Sequence, residues 1–422
     1  MIWLLMIVMG VMFILNFPMY ISMIVAPLAV IMVYFPNLDP LLATQQLIAG
    51  VQPIVLLAVP MFIFAADIMS VGQTSNRLLD FVDTFVGHIH GGMAITTAAT
   101  CTIFGAISGS TQATVVAIGK PMRNRLITSG YDGEDVNALI ISSAIIALLI
   151  PPSISMIMYC VVTGTSVGDL FKAGVLPGLL ILLFFAVYNF FHAKKRGIPR
   201  SEAVSIRGKI AAFKNALGPI GFPVVIFAGI YSGKFSPTEA AAIGVLYAAI
   251  LEVVVFRSIK LRDFTKIALS TAVVTTAVFI LVGAGSLFSW AISYARIPQM
   301  LTQAVLGVDP SAVRILITVT LFFYIAGMFV DSIVAIVILT PIFFPLAMQA
   351  GIHPIHLGII VTLQAAIASI SPPFGCNIFT ACAIFDEPFL RVVRKLPAYL
   401  IMLLIVSLLV VFVPQLSLLL VA

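Results

Sequence analysis

Two kinds of residue in this sequence could do chemistry, and each kind occurs twice. The run Ser108-Gly109-Ser110-Thr111 sets three hydroxyls and an unhindered turn inside apolar sequence, and Gly327 to Ser332 sets Asp331 and Ser332 in a similar place. Downstream of each lies a double proline, Pro151-Pro152 and Pro372-Pro373. Proline has no N–H, so Pro151 and Pro152 take the helical partners from the carbonyls of Ala147 and Leu148, and Pro372 and Pro373 take them from Ala368 and Ser369. Freed carbonyls are hard oxygen donors suited to a small cation such as sodium. Ser153 and Ser155 add oxygens at the first break; Ser371, Asn377 and Thr380, with Gly375 among them, do so at the second. At the tips, a helix N-terminus favours an anion and the preceding C-terminus a cation. Asp331 reads as charge balance at such a cation site, since a carboxylate inside a membrane is functional by default. The plainer alternatives are a packing kink at each double proline and a solvated turn aspartate at Asp331.

The setting makes these breaks informative. Of 422 residues, 61% are hydrophobic and only 9% charged, and the mean hydropathy is +1.19; soluble domains carry about one quarter charged residues. Successive apolar stretches of about twenty residues predict an all-α polytopic membrane protein. In hydrocarbon an unpaired backbone group costs roughly several kcal/mol, so a broken helix survives only where protein, water or a ligand satisfies it. Duplicated breaks therefore point to a transporter's binding site. The net charge of +6 reflects loop lysines and arginines that orient the spans, and makes no case for nucleic-acid binding. Met1 to Phe35 lacks a basic n-region and a cleavage site, so it reads as retained spans. Cys101, Cys160, Cys376 and Cys382 form no CxxC pair and read as small core residues.

In chain order, two apolar segments precede a third expected span from Leu47 to Met69. From Gln73 to His90, Leu78, Phe81, Phe85 and Ile89 recur at helical spacing with Arg77, Asp80 and Asp83 between them, which predicts an amphipathic helix at the membrane surface. His88 and His90, two apart, diverge on a helix and read as interfacial rather than metal-binding. Gly91 to Gly119 reads as a re-entrant hairpin tipped at Ser108–Thr111, followed by a polar turn through Lys120, Arg123 and Arg125. A span holding Pro151-Pro152 and another ending at Lys194-Lys195-Arg196 close the first half. Gly197 to Leu217 reads as a basic, surface-lying linker helix. The second half has three spans (218–231, 238–256 and 267–293), an amphipathic piece from Ile297 to Val308 and a second hairpin from Ala312 to Ala347. The Pro372-Pro373 span and a last helix from Leu396 to Leu420 follow. Asp67 and Glu252 lie near the ends of apolar runs and read as interface residues.

The halves repeat. Pro121 and Pro341 differ by 220 positions, Gly130 and Gly351 by 221, Pro152 and Pro373 by 221, and Pro177 and Pro397 by 220, the signature of an internal duplication. The expected division is residues 1–196 as one repeat, 197–217 as linker and 218–422 as the other. With about ten spans, hairpins that return to the side they enter and a cytoplasmic linker, only Lys172, Lys234, Arg296 and Arg314 fall outside. That arrangement makes the repeat inverted, with both termini outside.

At these residues the chain resembles a known family. Pro60-Met61-Phe62, Gly87-His88 with Gly91-Gly92, FGAISGSTQAT from Phe104 to Thr114, IPPS from Ile150 to Ser153 and FSPTEAA from Phe235 to Ala241 are similar to the large membrane subunit of tripartite ATP-independent periplasmic (TRAP) transporters. The resemblance covers essentially the whole chain. It implies a bacterial inner-membrane, sodium-coupled importer of organic acids that works by an elevator movement, without a cofactor, alongside a small membrane subunit and a soluble periplasmic binding protein. Within the family this member is similar to the sialic-acid type, and C4-dicarboxylate members share the same motifs. Two other classes were weighed. A stand-alone sodium/divalent-anion symporter shares the hairpin logic. An intramembrane protease would use Ser108 as nucleophile, but Ala106 stands where a glycine-x-serine-glycine pattern needs glycine.

Overall fold

A computed structural model gives the fold; it describes residues 1–260, 262–297, 300 and 310–421. Among these the secondary structure is helical, with no strand, and six helices are long and apolar enough to cross a bilayer. The expected amphipathic piece from Ile297 to Val308 lies almost wholly outside the described residues.

Helices α1 (Ile2–Ile14) and α2 (Met19–Tyr34) come first. The expected third span is instead two pieces. Helix α3 (Leu41–Gly50) stops short of Pro53, a 3-10 turn (Ile54–Leu57) follows, and α4 is Ala58–Val71. Pro53 disfavours helical geometry at Gln52, so the chain turns there. Helix α3 then lies along α13 (Asp263–Tyr294), where Gly50 and Gly283 allow close approach of Ser286 and of the Leu47 carbonyl.

The amphipathic helix forms but is shorter and turned from the expected face: α5 (Thr74–Val86) buries Leu78, Leu79 and Val82 and leaves Phe85 exposed. Next come the hairpin helices α6 (Gly92–Ser108) and α7 (Thr111–Thr128). Helix α7 continues through Lys120, Arg123 and Arg125, where a turn was expected. Charged residues do not end a helix; Gly130, at φ +94°, does. Helix α8 (Gly133–Ala144) runs into a 3-10 turn (Ile145–Leu148), and α9 (Ile154–Thr163) resumes after the double proline, before α10 (Val167–Arg196).

The linker is not a separate helix either. Helix α11 (Ile206–Tyr231) joins the basic segment and the next span in one rod that accommodates Pro219 and Pro223. Its basic half packs on α5, with Phe213 against Phe81 and the Lys209 ammonium over Phe85. Helix α12 (Pro237–Ala249) opens on the FSPTEAA motif, whose sequence explains the local geometry. Ser236 and Glu239 form a reciprocal capping box with Pro237 in the first turn, an arrangement that stabilises a helix start by about 1 kcal/mol. A π-helical turn (Ile250–Val255) ends α12.

In the second half, α14 (Ala312–Gly327) and α15 (Ser332–Gln349) form the second hairpin. Helices α16 (Pro354–Ala368) and α17 (Cys376–Phe385) flank the second double proline, and α18 (Phe389–Val393), α19 (Leu396–Phe412) and α20 (Gln415–Leu418) end the described chain. The duplication is visible in the helix boundaries. Helix α15 starts 221 residues after α7 (332 − 111) and ends 221 after it (349 − 128). The N-caps Asp132 of α8 and His353 of α16 are also 221 apart, and each accepts a bond from the N–H two residues on.

Packing sorts the helices into two groups. Helices α2 and α3 pack on α13, and α4 on α12 and α13; the hairpins pack among α8 to α10 and α16 to α19. The groups meet chiefly where α15 lies on α13, with Gly285 against Val337, and where α6 lies on α4 and α5.

Candidate functional site

The first tip is a helix end followed at once by a helix start. Gly109 closes α6 in the left-handed region at φ +58°, Ser110 is extended, and its side chain caps α7 by accepting from Ala113 N–H. The Ser108 hydroxyl shares a 3.0 Å bond with Thr114 and donates to the Ser110 carbonyl. The second tip starts its second helix in the same register but is longer: α14 stops at Gly327, so the four residues Met328 to Asp331 join the helices where Gly109 and Ser110 do so in the first. Asp331 lies 221 positions after Ser110, is extended in the same way, and caps α15 by accepting from Ile333 N–H at 2.9 Å.

Each tip docks on the broken helix of its own half, through glycine. A side chain at Gly109 would collide with the Pro152 carbonyl, and the Gly109 carbonyl accepts from Ile154 N–H. Gly105 meets Ala147 just behind. In the second half a Cβ on Gly327 would stand 2.6 Å from the Ala368 side chain, and the Ser332 hydroxyl donates to the Ala365 carbonyl. Both Pro-Pro peptide bonds, Pro151-Pro152 and Pro372-Pro373, are cis. The first tip is also tied to the second break: the Thr111 hydroxyl donates to Asn377 Oδ1 at 2.8 Å, and the Asn377 amide donates to the Ser369 hydroxyl.

Both tips face one cavity of about 260 Å3. Gly109, Ser110, Thr111 and Gln112 line one wall and Asp331, Ser332 and Ile333 another, with Leu148 and Ser155 from the first break. Ile63 of α4 and Val274, Ala277, Val278 and Leu281 of α13 complete it. The cavity thus lies where the two helix groups meet. Its lining holds one acidic side chain, hydroxyls, a carboxamide and the N-termini of α7 and α15, and no lysine or arginine.

The remaining residues expected at the site stand behind that lining. Ser153 caps α9 through Met156 N–H. The second-break carbonyls are not free: Ala368 accepts from Ser371 N–H at 3.0 Å and Ser369 from Asn377 N–H at 2.9 Å. Each keeps a second lone pair, so partial satisfaction replaces the expected orphan acceptors. The Ser371 hydroxyl bonds Ile367 and Tyr324, and Thr380 bonds back to Cys376 in its own helix. Pro372, Pro373 and Phe374 are exposed, Gly375 is packed against Ser369, and Pro151 and Pro152 are buried. Sequence reasoning missed Gln112, although it directly follows the tip, and the α13 residues, whose small apolar side chains carry no signal. Asp67 receives a bond from Thr271, and Glu252 is fully buried within the protein.

Paired hairpins and broken helices around one shared cavity define a membrane transporter. The same fold is seen in the crystal structure of the YdaH transporter of Alcanivorax borkumensis, with a TM-score of 0.62 at 14% identity, covering 88% of this chain and 86% of that one. The family follows from sequence. Residues 6–416 match the tripartite ATP-independent periplasmic transporter, DctM component, and the chain belongs to that family. It is a large permease subunit, a multi-pass protein of the inner membrane. An ectoine TRAP transporter large permease of Halomonas elongata is 50% identical over 96% of this chain and 95% of its own. An ectoine/5-hydroxyectoine counterpart of Ruegeria pomeroyi is 49% identical over 97% and 96%. A sialic acid large permease of Vibrio cholerae is 33% identical over 90% and 88%. The expected sialic-acid type is therefore corrected: this chain is more similar to the ectoine permeases.

Proposed function

We propose that this chain is the translocation subunit of a sodium-coupled importer of ectoine or a close analogue. A periplasmic binding protein delivers the substrate, and a small membrane subunit completes the complex. The observation that carries the reading is the single cavity shared by both hairpin tips. Ectoine is a small ring bearing a carboxylate and a cationic amidinium. The N-terminus of α7, with Ser110 and Thr111, is complementary to the carboxylate, and Asp331 supplies the negative charge that a cation needs. Sodium would draw on the same oxygens and on the second lone pairs of the break carbonyls. Because α4 and α13 form one side of the cavity and the hairpins the other, sliding one group past the other would carry the site across the membrane.

The test is uptake by the purified three-component complex in vesicles. Labelled ectoine should accumulate with an inward sodium gradient and only with all three components present. Unlabelled ectoine should compete, and sialic acid or succinate should not. Competition by sialic acid in place of ectoine would reject the substrate assignment, and accumulation by this chain alone would reject the tripartite one.

A further inference from the structure

Helix α5 connects the two helix groups, and its first turn has no cap of its own: Gln73, at the N-cap position, uses its side chain on Arg77 instead. The cap comes from 179 residues away. Glu252, in the π-helical turn that ends α12, is fully buried, and its carboxylate accepts from Gln73 N–H and Thr74 N–H, both at 3.1 Å. It also accepts from the Thr74 hydroxyl at 2.6 Å and from the Ser258 hydroxyl. The sequence makes room for it, because any side chain on Gly72 would overlap that carboxylate. An anionic cap on orphan N–H groups combines a charge-assisted bond with a favourable helix dipole.

Beyond this first turn, α5 leads to the hairpin group. From its middle, Asp80 pairs with Arg125 of α7 at 3.0 Å. Gly91, at φ +71°, starts α6 against the Asn189 carbonyl of α10. Along its length α5 packs on α11, through a 3.4 Å bond from Arg77 to the Asn215 carbonyl, Phe81 on Phe213 and Lys209 over Phe85, and the Arg77 guanidinium also lies 3.8 Å over the Phe256 ring. Those contacts can slide; a buried carboxylate holding three donors of one helix turn cannot do so without leaving a charge unpaired.

We propose that Glu252 is the positioning residue that fixes the scaffold end of the α5 arm, so that the first hairpin swings about a pivot at Gly72–Thr74. This rests on the sliding movement proposed above. With the pivot fixed, displacement of the hairpin is converted into rotation of one short helix. Without it, the first turn of α5 unravels and the hairpin loses its defined path.

The experiment uses the complete complex and three variants: Glu252→Ala, Glu252→Gln and Gly72→Ala, the last displacing the carboxylate without removing it. Amide hydrogen exchange over residues 73–78 should quicken about tenfold in Glu252→Ala and Gly72→Ala and less in Glu252→Gln, which keeps one acceptor. Uptake should fall about tenfold with the sodium concentration for half-maximal rate unchanged, which separates an arm defect from a site defect. Spin labels on α7 and α12 report movement separately. If their distance does not respond to sodium and substrate in the unaltered protein, the sliding reading fails whatever Glu252 does. If it does respond, the pivot is overturned by unchanged exchange at 73–78 in the variants, or by faster exchange with normal uptake. Should Glu252→Ala fail to assemble, Glu252→Gln and Gly72→Ala decide by the same criteria.

Discussion

The two tips begin their second helices in one register and differ in length and chemistry. Ser110 and Asp331 occupy the same register, each extended and each capping the helix that follows, but one offers a hydroxyl and the other a carboxylate. The breaks differ in the same way. Ser153 caps α9, whereas Gly375 begins α17 with no side chain to give. The first double proline is buried, and the second is exposed together with Phe374, whose ring meets Phe329 of the second tip at 5.6 Å. The second helices of the two hairpins thus keep one register while the residues at the tips and breaks differ. The first half contributes a packed, neutral wall of hydroxyls and amides. The second contributes the charge and the more open edge.

The largest effect is expected where the halves are held to their breaks by glycine. Gly109→Ala must place a Cβ at φ +58° and against the Pro152 carbonyl, which is backbone and cannot yield. It should destabilise the protein by about 2–4 kcal/mol and abolish uptake. Gly327→Ala keeps ordinary helical geometry and so lacks the strained φ, though its Cβ meets the Ala368 methyl at 2.6 Å; it should cost about 1–3 kcal/mol, less than Gly109→Ala, and leave partial uptake. Thermal unfolding of the purified variants, with uptake alongside, measures both. Equal losses would erase the distinction between a rigid first tip and a more yielding second one.

A smaller contrast separates Thr111 from its counterpart Ser332. Thr111→Val removes a 2.8 Å bond between the first tip and the second break and leaves the buried Asn377 Oδ1 only a long contact from the Cys376 thiol, at about 1–3 kcal/mol. Ser332→Ala removes a 3.3 Å bond to the Ala365 carbonyl, which Ser369 N–H already engages, so about 0.5–1 kcal/mol is expected. Unfolding midpoints of the two variants should follow that order, and the reverse order would place the link between the halves elsewhere.

These contrasts also show what a sequence makes legible. Tips, caps and double prolines announce themselves, because Gly, Ser, Asp and Pro in apolar surroundings have few other uses. The register of Pro121, Gly130 and Pro152 with Pro341, Gly351 and Pro373 carried the duplication into the helix boundaries almost to the residue. What escaped depends on long-range contact. Pro53 is plain in the sequence, yet that α3 would fold back on α13 depends on Gly50 and Gly283, far apart in the chain. The linker was expected to end before Pro219, but a proline in a packed helix need not break it. The role of Glu252 as a cap escaped because its partner residues Gln73, Thr74 and Ser258 include two almost half the chain away. The α13 side of the cavity is made of valine, alanine and leucine like any other span.

The central claim is that the two tips form one site with unlike roles, and a sodium titration of uptake tests it most directly. In the reconstituted complex, Asp331→Asn should raise the sodium concentration for half-maximal ectoine uptake at least about tenfold, as loss of one close charge implies. Ser110→Ala, which removes a neutral donor from the same cavity, should raise it about two- to fourfold. Protein level and assembly should hold in both. An unchanged sodium dependence in both variants would contradict the account and reduce the tips to packing turns.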